Sequence, residues 1–136
     1  MMQKKGRILV LIVLPMIALA CVLTSKPLID SNASAIVWYD INANGIMDPE
    51  DTPIEGIQVC ATLNSKTENE FEADYCFYSD FNGNVPSSDE VRGMFFAGAG
   101  CQDIYIFIIL PKDYSLSTPS KVNGCNASFG LVSAQP

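Results

Sequence analysis

Residues 40–51 of the chain read DINANGIMDPED, which places oxygen-bearing side chains at alternate positions ahead of a glycine. Counted from Asp40, the stretch matches five of the six ligand positions of a twelve-residue calcium loop. Gly45 stands at position six, where such a loop turns sharply. The candidate Ca²⁺ ligands are Asp40, Asn42, Asn44, the carbonyl of Ile46, Asp48, and either Glu50 or Asp51.

The last position of this loop departs from the pattern. Position twelve is ordinarily glutamate, whereas the chain has Asp51 there, one methylene shorter and next to Glu50. The alternative interpretation is a solvated turn between two strands, since Asn, Asp and Gly populate turns for backbone reasons alone. The spacing favours the cation site, and we expect the bound calcium to stabilise the domain rather than to catalyse.

The N-terminal segment is typical of a secretory signal peptide. Three basic residues within positions 4–7 precede an apolar run, residues 8–20, which is short for a bilayer-spanning helix and contains Pro15. Leu19-Ala20-Cys21 resembles the lipobox at which bacterial lipoproteins are cleaved before a lipid-bearing cysteine. We therefore expect residues 1–20 to be removed and Cys21 to anchor the chain in membrane lipid on the extracytoplasmic face of the cell membrane. Plain cleavage after Ala20 or a little later is the alternative.

The predicted mature chain has the size and charge of one small acidic domain. Without residues 1–20, 116 of the 136 residues remain, which suits a single core over residues 35–136 after a tether over residues 21–34. Losing three of eight basic residues against fifteen acidic ones leaves a net charge of about −10, which argues against nucleic acid as a partner. The chain has no histidine, and this excludes Ser/His/Asp and Cys/His catalysis and typical zinc sites.

Four cysteines follow Cys21, an even number in a chain expected to be exported. Three pairings of Cys60, Cys76, Cys101 and Cys125 are possible. We favour Cys60 with Cys76 and Cys101 with Cys125, because each pair links segments that would be neighbours in a sequential antiparallel sheet. Free buried thiols are the alternative.

The remaining pattern predicts an all-β protein, an antiparallel β-sandwich. Short apolar runs alternate with turn signals, and no apolar stripe has the spacing and length of a helix face. A polar connection at residues 64–70 and a hairpin-type turn at residues 80–84 separate the runs. The predicted strands are residues 35–39, 56–63, 73–79, 94–97, a part of 103–110, 114–117 and 127–132.

The chain contains VWYDINANGIMD at residues 37–48, PIEGIQV at 53–59 and SDFNGN at 79–84. Together these three stretches resemble a known family, the SdrD B-like domain, a relative of the collagen-adhesin B-type repeats. The resemblance covers roughly residues 35–118 and implies an immunoglobulin-like or prealbumin-like sandwich that binds calcium in bacterial surface proteins. Many collagen-adhesin B-type domains carry a lysine-to-asparagine isopeptide bond, for which residues 35–39 offer no lysine; the four cysteines would replace that staple.

These observations predict a non-catalytic, calcium-stabilised surface module with a structural or adhesive role, whose protein or glycan ligand the sequence does not name. A carbohydrate-binding module is the first alternative, with Tyr75, Phe77, Tyr78 or Phe81 as a sugar-stacking platform. A hydrolase using paired carboxylates is the weaker alternative. The acidic residues of segment 68–74 alternate with Asn69, Phe71 and Ala73, a pattern typical of one solvated strand edge.

Overall fold

Two facing sheets built from ten strands form the part of the chain that the computed structural model describes, residues 29–90 and 92–134. Apolar residues alternate along most of these strands, as expected for elements with one face toward a core. The prediction of an all-β sandwich is confirmed. The strands are β1 Ser31–Tyr39, β2 Thr52–Pro53, β3 Gln58–Thr62, β4 Tyr75–Tyr78, β5 Asn84–Val85, β6 Met94–Phe96, β7 Tyr105–Ile109, β8 Tyr114–Leu116, β9 Lys121–Asn123 and β10 Asn126–Ser133.

The first sheet is organised around β1. β10 runs parallel to β1, with Val37 opposite Phe129, and β8 pairs with the far side of β10. Along its length β1 also pairs antiparallel with three short strands, β6, β5 and β2. The parallel pair joins the first strand to the last, so the expectation of purely antiparallel pairing holds for every other strand pair in the described residues but not for this one.

The second sheet is antiparallel throughout, in the order β4-β3-β7-β9. Val59 of β3 stands opposite Phe77 on one side and Ile108 on the other. The main core lies between the two sheets, because these inward side chains meet Val37, Phe129 and their neighbours from the first sheet. Its fully buried members include Val37, Val59, Met94, Ile104, Ile106, Phe129 and Leu131.

Two smaller buried patches lie on the outward faces of the sheets. Trp38 is only 1% exposed although its neighbours Val37 and Tyr39 occupy the core-facing positions of β1. Phe107 is buried on the outward face of the second sheet, beside Cys60. The predicted strand within residues 103–110 is present as β7, and its central residues are buried on both faces of the sheet.

Both predicted disulfides are present. Cys60 and Cys76 are bonded across the β3–β4 pair, where they stand directly opposite each other. Cys101 and Cys125 are bonded as well, which ties a short 3-10 helix, Cys101–Asp103, to the start of β10. The favoured pairing was therefore correct, and neither pair is left as free thiols.

Three local expectations were wrong. The tether was expected to extend to residue 34, but β1 begins at Ser31, because Ala33 is buried opposite Met94 of β6. The turn at residues 80–84 is not a hairpin, since it carries the chain from β4 in the second sheet to β5 in the first. The acidic segment 68–74 is not a strand edge but contains a 3-10 helix, Glu70–Glu72, capped by the side chain of Asn69.

The predicted signal peptide, Cys21 and most of the tether lie outside the described residues. Within residues 29–90 and 92–134, no helix is both long enough and apolar enough to cross a bilayer.

Candidate metal loop at the end of strand β1

The predicted calcium loop is the connection between β1 and β2. The backbone N–H of Asp40 donates to the carbonyl of Leu131 at 2.8 Å, which continues the β1–β10 pairing to the first residue of the loop. At its other end, β2 returns to pair with Trp38 and Tyr39. The loop is thus held at both ends by the first sheet, at the end of β1 opposite to the N-terminal segment.

Asp40 lies at the base of the loop and is 1% exposed. Its Oδ1 accepts from the backbone N–H of Asn44 at 3.2 Å and its Oδ2 from that of Gly45 at 2.7 Å. Gly45 has a φ of +75°, the left-handed conformation that glycine adopts without a steric penalty, so the sharp turn expected at position six is present. The carboxylate of Asp40 therefore organises the turn through backbone donors.

These contacts also set the ionisation of Asp40. Burial would raise the pKa of its carboxyl, but the backbone N–H groups of residues 43–45 outweigh it and hold the pKa below its ordinary value of 3.8. Ser117 Oγ itself makes no hydrogen bond within the described part of the chain, so we ascribe the shift to the backbone donors.

Three of the predicted ligands meet at one carboxylate oxygen. Asn42 Nδ2 donates to Asp48 Oδ2 at 2.9 Å, and Asn44 Nδ2 donates to the same oxygen at 2.7 Å. The oxygen of each amide accepts a backbone N–H, from Asn44 at 3.1 Å and from Ile46 at 2.8 Å. Positions three, five and nine of the loop thus converge on one point, as the spacing of the sequence predicts.

Asp51 closes the loop. Its Oδ1 accepts from the backbone N–H of Ile41 at 3.0 Å and its Oδ2 from that of Asp48 at 2.7 Å. Asp51 therefore lies within the loop, whereas Glu50 beside it is exposed. The structure brings Asp51 to the other predicted ligands and leaves Glu50 in solvent, and of the two it favours Asp51 as the residue that completes the loop.

The donor chemistry of the loop fits Ca²⁺. Carboxylate, amide and carbonyl oxygens are the ligands that calcium takes, in flexible geometry. An amide carries its oxygen and nitrogen at equivalent positions, so a half-turn of Asn42 and Asn44 would direct two oxygens instead of two N–H groups toward Asp48. Within the described residues, no three Asp, Glu or Cys side chains are grouped to hold a metal ion. The three predicted carboxylate ligands, Asp40, Asp48 and Asp51, are thus not gathered around one point, and the amide and carbonyl oxygens would have to supply the rest of the site.

The sequence pattern missed two residues near this site, Ser117 and Gly130. Trp38 lies under Gly130 of β10, where an added Cβ would stand 3.0 Å from the indole ring and 2.5 Å from Ser117 Oγ. Ser117 also lies against the loop, since its carbonyl oxygen is 3.0 Å from the Cβ position of Gly45. Because Ser117 and Gly130 lie more than 60 positions along the chain from the end of the loop, no local spacing signals them.

The aromatic platform of the alternative interpretation is divided between the core and the surface. Tyr75 packs edge-on against Phe96 with ring centroids 5.1 Å apart, and Phe77 packs against the main core. Only Tyr78 and Phe81 are exposed. Two of the four rings therefore pack the sandwich, and Tyr78 and Phe81 are the two left at the surface.

Family models and curated proteins were compared with the chain. The chain matches no model of a known protein family, and no curated protein is significantly similar to it. The resemblance to the SdrD B-like domain stays a prediction, carried by the three quoted stretches.

Proposed function

We propose that this chain is a non-catalytic surface module of the SdrD B-like type, stabilised by calcium and anchored to membrane lipid through Cys21. The observation that carries the proposal is the convergence of Asn42, Asn44 and Asp48 in a loop that joins β1 to β2. An ion bound there would link the central strand of the first sheet to its neighbour. Its role is then to hold the fold rather than to perform chemistry.

Calcium would replace hydrogen bonds that the loop now makes with itself. Asn42, Asn44, Asp48, Asp51 and the carbonyl of Ile46 would supply oxygens, while Asp40 would keep the turn in place. With few carboxylates, the loop should bind in the weak extracellular range, a dissociation constant of about 10⁻⁴ to 10⁻³ M. Magnesium should compete poorly, because it demands octahedral geometry and gives up its waters reluctantly.

The position of the loop suits a structural or adhesive role. The ten residues from Cys21 to the start of β1 reach at most roughly 35 Å, so a lipid at Cys21 would keep the domain close to the bilayer. The loop lies at the other end of β1, and Ile41, Ile46 and Met47 are exposed on it. The end of the module that a partner would meet thus carries the stabilised loop. Incorporation of labelled palmitate that is lost in Cys21→Ser checks the anchoring.

Thermal unfolding with calcium, with magnesium and with chelator tests the calcium site. At about 2 mM free calcium and a dissociation constant of about 0.1 mM, mass action adds about 1.8 kcal/mol. For a domain of this size the midpoint should rise by roughly 5–12 °C over that in chelator. Magnesium at the same concentration should raise it far less.

A matched pair of variants gives the control. Asp48→Asn removes the carboxylate at which the ligands converge and should abolish the calcium response. Asp89→Asn removes an exposed carboxylate outside the loop and should keep it. Asp40 is the wrong choice for this comparison, since its carboxylate holds backbone N–H groups with or without an ion. A wild-type midpoint indifferent to all three solutions would mean that the loop is only a turn.

A further inference from the structure

A shallow groove of about 280 Å³ crosses the outward face of the first sheet, away from the calcium loop. It lies over β1 where β5 ends and β10 begins. Ala35, Val85 and Ala127 form its backbone base and turn their buried side chains toward the core. The side chains left on the outward face are those of Ser34, Ile36, Asn84, Pro86, Asn126 and Ser128.

The lining of this groove is polar but uncharged. Ser34 Oγ donates to Asn126 Oδ1 at 2.8 Å, which uses the amide oxygen of this exposed residue and leaves its Nδ2 available as a donor. Within residues 29–90 and 92–134, no hydrogen bond engages that Nδ2 or the hydroxyl of Ser128. Ile36 and Pro86 add an apolar surface beside these groups. The groove therefore offers hydrogen-bond donors and acceptors next to apolar carbon, with no charge.

This chemistry separates the possible classes of ligand. A phosphate or carboxylate ligand calls for Arg or Lys, and none lines the groove of a chain with a net charge of −7. A peptide cannot add here as an extra strand, because Ala35 and Ile36 are already paired with β10 on one side and β5 on the other. What remains is a small neutral ligand recognised by side chains through hydroxyl and amide hydrogen bonds.

We propose that this groove binds a neutral saccharide. Sugar hydroxyls match the amide of Asn126 and the hydroxyl of Ser128, and the C–H face of a pyranose ring matches the apolar surface of Ile36 and Pro86. The volume lies just below the range of about 300–1,000 Å³ typical of small-molecule sites, which suits one or two sugar rings. The site is independent of calcium and of the aromatic residues considered in the sequence.

Titration of the ¹⁵N-labelled domain with a panel of neutral disaccharides tests this proposal. Maltose, cellobiose, N,N′-diacetylchitobiose and mannobiose are added up to about 10 mM, a concentration that detects binding near the millimolar range. At least one of them should shift the amide resonances of residues 34–36, 84–86 and 126–128. Digalacturonate and capped trialanine are the charged and peptide comparisons, and neither should shift those resonances.

Two variants and one control tie the shifts to the groove. Asn126→Ala with Ser128→Ala should weaken binding by roughly tenfold, because both remove a hydrogen bond to the ligand. Ser115→Ala, an exposed serine on β8 outside the groove, should leave the affinity unchanged. The thermal midpoint of each variant confirms that the domain is folded.

Three results would overturn the proposal. They are the absence of shifts with every neutral sugar, shifts confined to another part of the surface, and equal binding of the charged or peptide probes. None of these outcomes bears on the calcium proposal, because the titration can be run both with calcium and with chelator.

Discussion

At the scale of single residues, the packing of Trp38 depends on Gly130. The indole lies on the outward face of β1 and is buried there because its partner in β10 carries no side chain. Gly130→Ala would drive a Cβ against the indole and Ser117 Oγ. We expect a loss of about 1–3 kcal/mol in the free energy of unfolding, the usual cost of overpacking.

Urea unfolding followed by tryptophan fluorescence measures this loss, since Trp38 is the only tryptophan. Its emission should also move to longer wavelength in the folded variant as the ring is pushed toward water. Ser128→Ala, on the same strand and exposed, is the control and should change neither quantity. An unchanged midpoint in Gly130→Ala would show that β1 and β10 can shift apart enough to accommodate the added methyl group.

Asp40 predicts an acid dependence of stability. Its pKa is lower in the folded state, so its ionised form contributes stability above pH 3.8, and this contribution is lost as pH falls further through the folded pKa. Asp40→Asn should therefore lose less stability than wild type as the pH falls, while its stability at neutral pH should be lower. Thermal midpoints from pH 7 down to about 2 check this, with Asp89→Asn as the exposed control. Parallel curves for Asp40→Asn and wild type would contradict it.

At the scale of elements, Lys121 of β9 holds the loop of residues 64–72, between β3 and β4, through two hydrogen bonds. Its Nζ donates to the carbonyls of Ser65 at 2.6 Å and Thr67 at 2.8 Å, and lies 5.7 Å from the centre of the Tyr105 ring. Thr67 is thereby held at 1% exposure. The same loop also reaches the first disulfide, since Cys76 Sγ lies 3.7 Å from the carbonyl oxygen of Glu70.

Lys121→Met keeps most of the apolar stem and removes the donor. Hydrogen exchange of residues 64–72 should then accelerate by roughly tenfold, because hydrogen bonds from a charged group contribute about 1.5–3 kcal/mol before solvent screening. Lys112→Met changes an exposed lysine and should leave exchange unaltered. Equal exchange in both variants would mean that the loop stays closed without the lysine.

The elements also show what the sequence can and cannot specify. β3 and β10 were predicted because the alternation of their side chains reports burial on one face, and β7 was predicted because its five residues form a continuous apolar run. β2, β5 and β9 were missed, since strands of two or three residues are too short to show such a pattern. The candidate ligands in residues 40–51 follow from local spacing, whereas Ser117 meets the loop at Gly45 only because the sheet is folded.

At the scale of the whole molecule, the two disulfides should differ in their effect on stability. The chain-entropy model gives about 3 kcal/mol for each, since they span 16 and 24 residues. Cys60 is fully buried and Cys76 is half-buried, whereas Cys125 is 9% exposed and Cys101 is exposed. Replacing Cys60 and Cys76 by alanine should therefore cost more than replacing Cys101 and Cys125, because it leaves the larger cavity.

Chemical unfolding of the two double variants compares these costs directly. Cys21→Ser, which leaves both disulfides in place, is the control. A greater loss in the Cys101 and Cys125 variant would show that closing the longer loop outweighs burial.

The parallel pairing of β1 and β10 determines how the domain would respond to mechanical tension. If the chain is held at its N-terminal side and pulled from its C-terminal side, the two strands are drawn in opposite directions along their axes. Six residue pairs between Ser34 and Tyr39 of β1 and the facing stretch of β10 then resist together. An antiparallel hairpin pulled from its open end separates one pair at a time. A module stretched between a membrane and a bound partner would thus meet the force across its broadest strand contact.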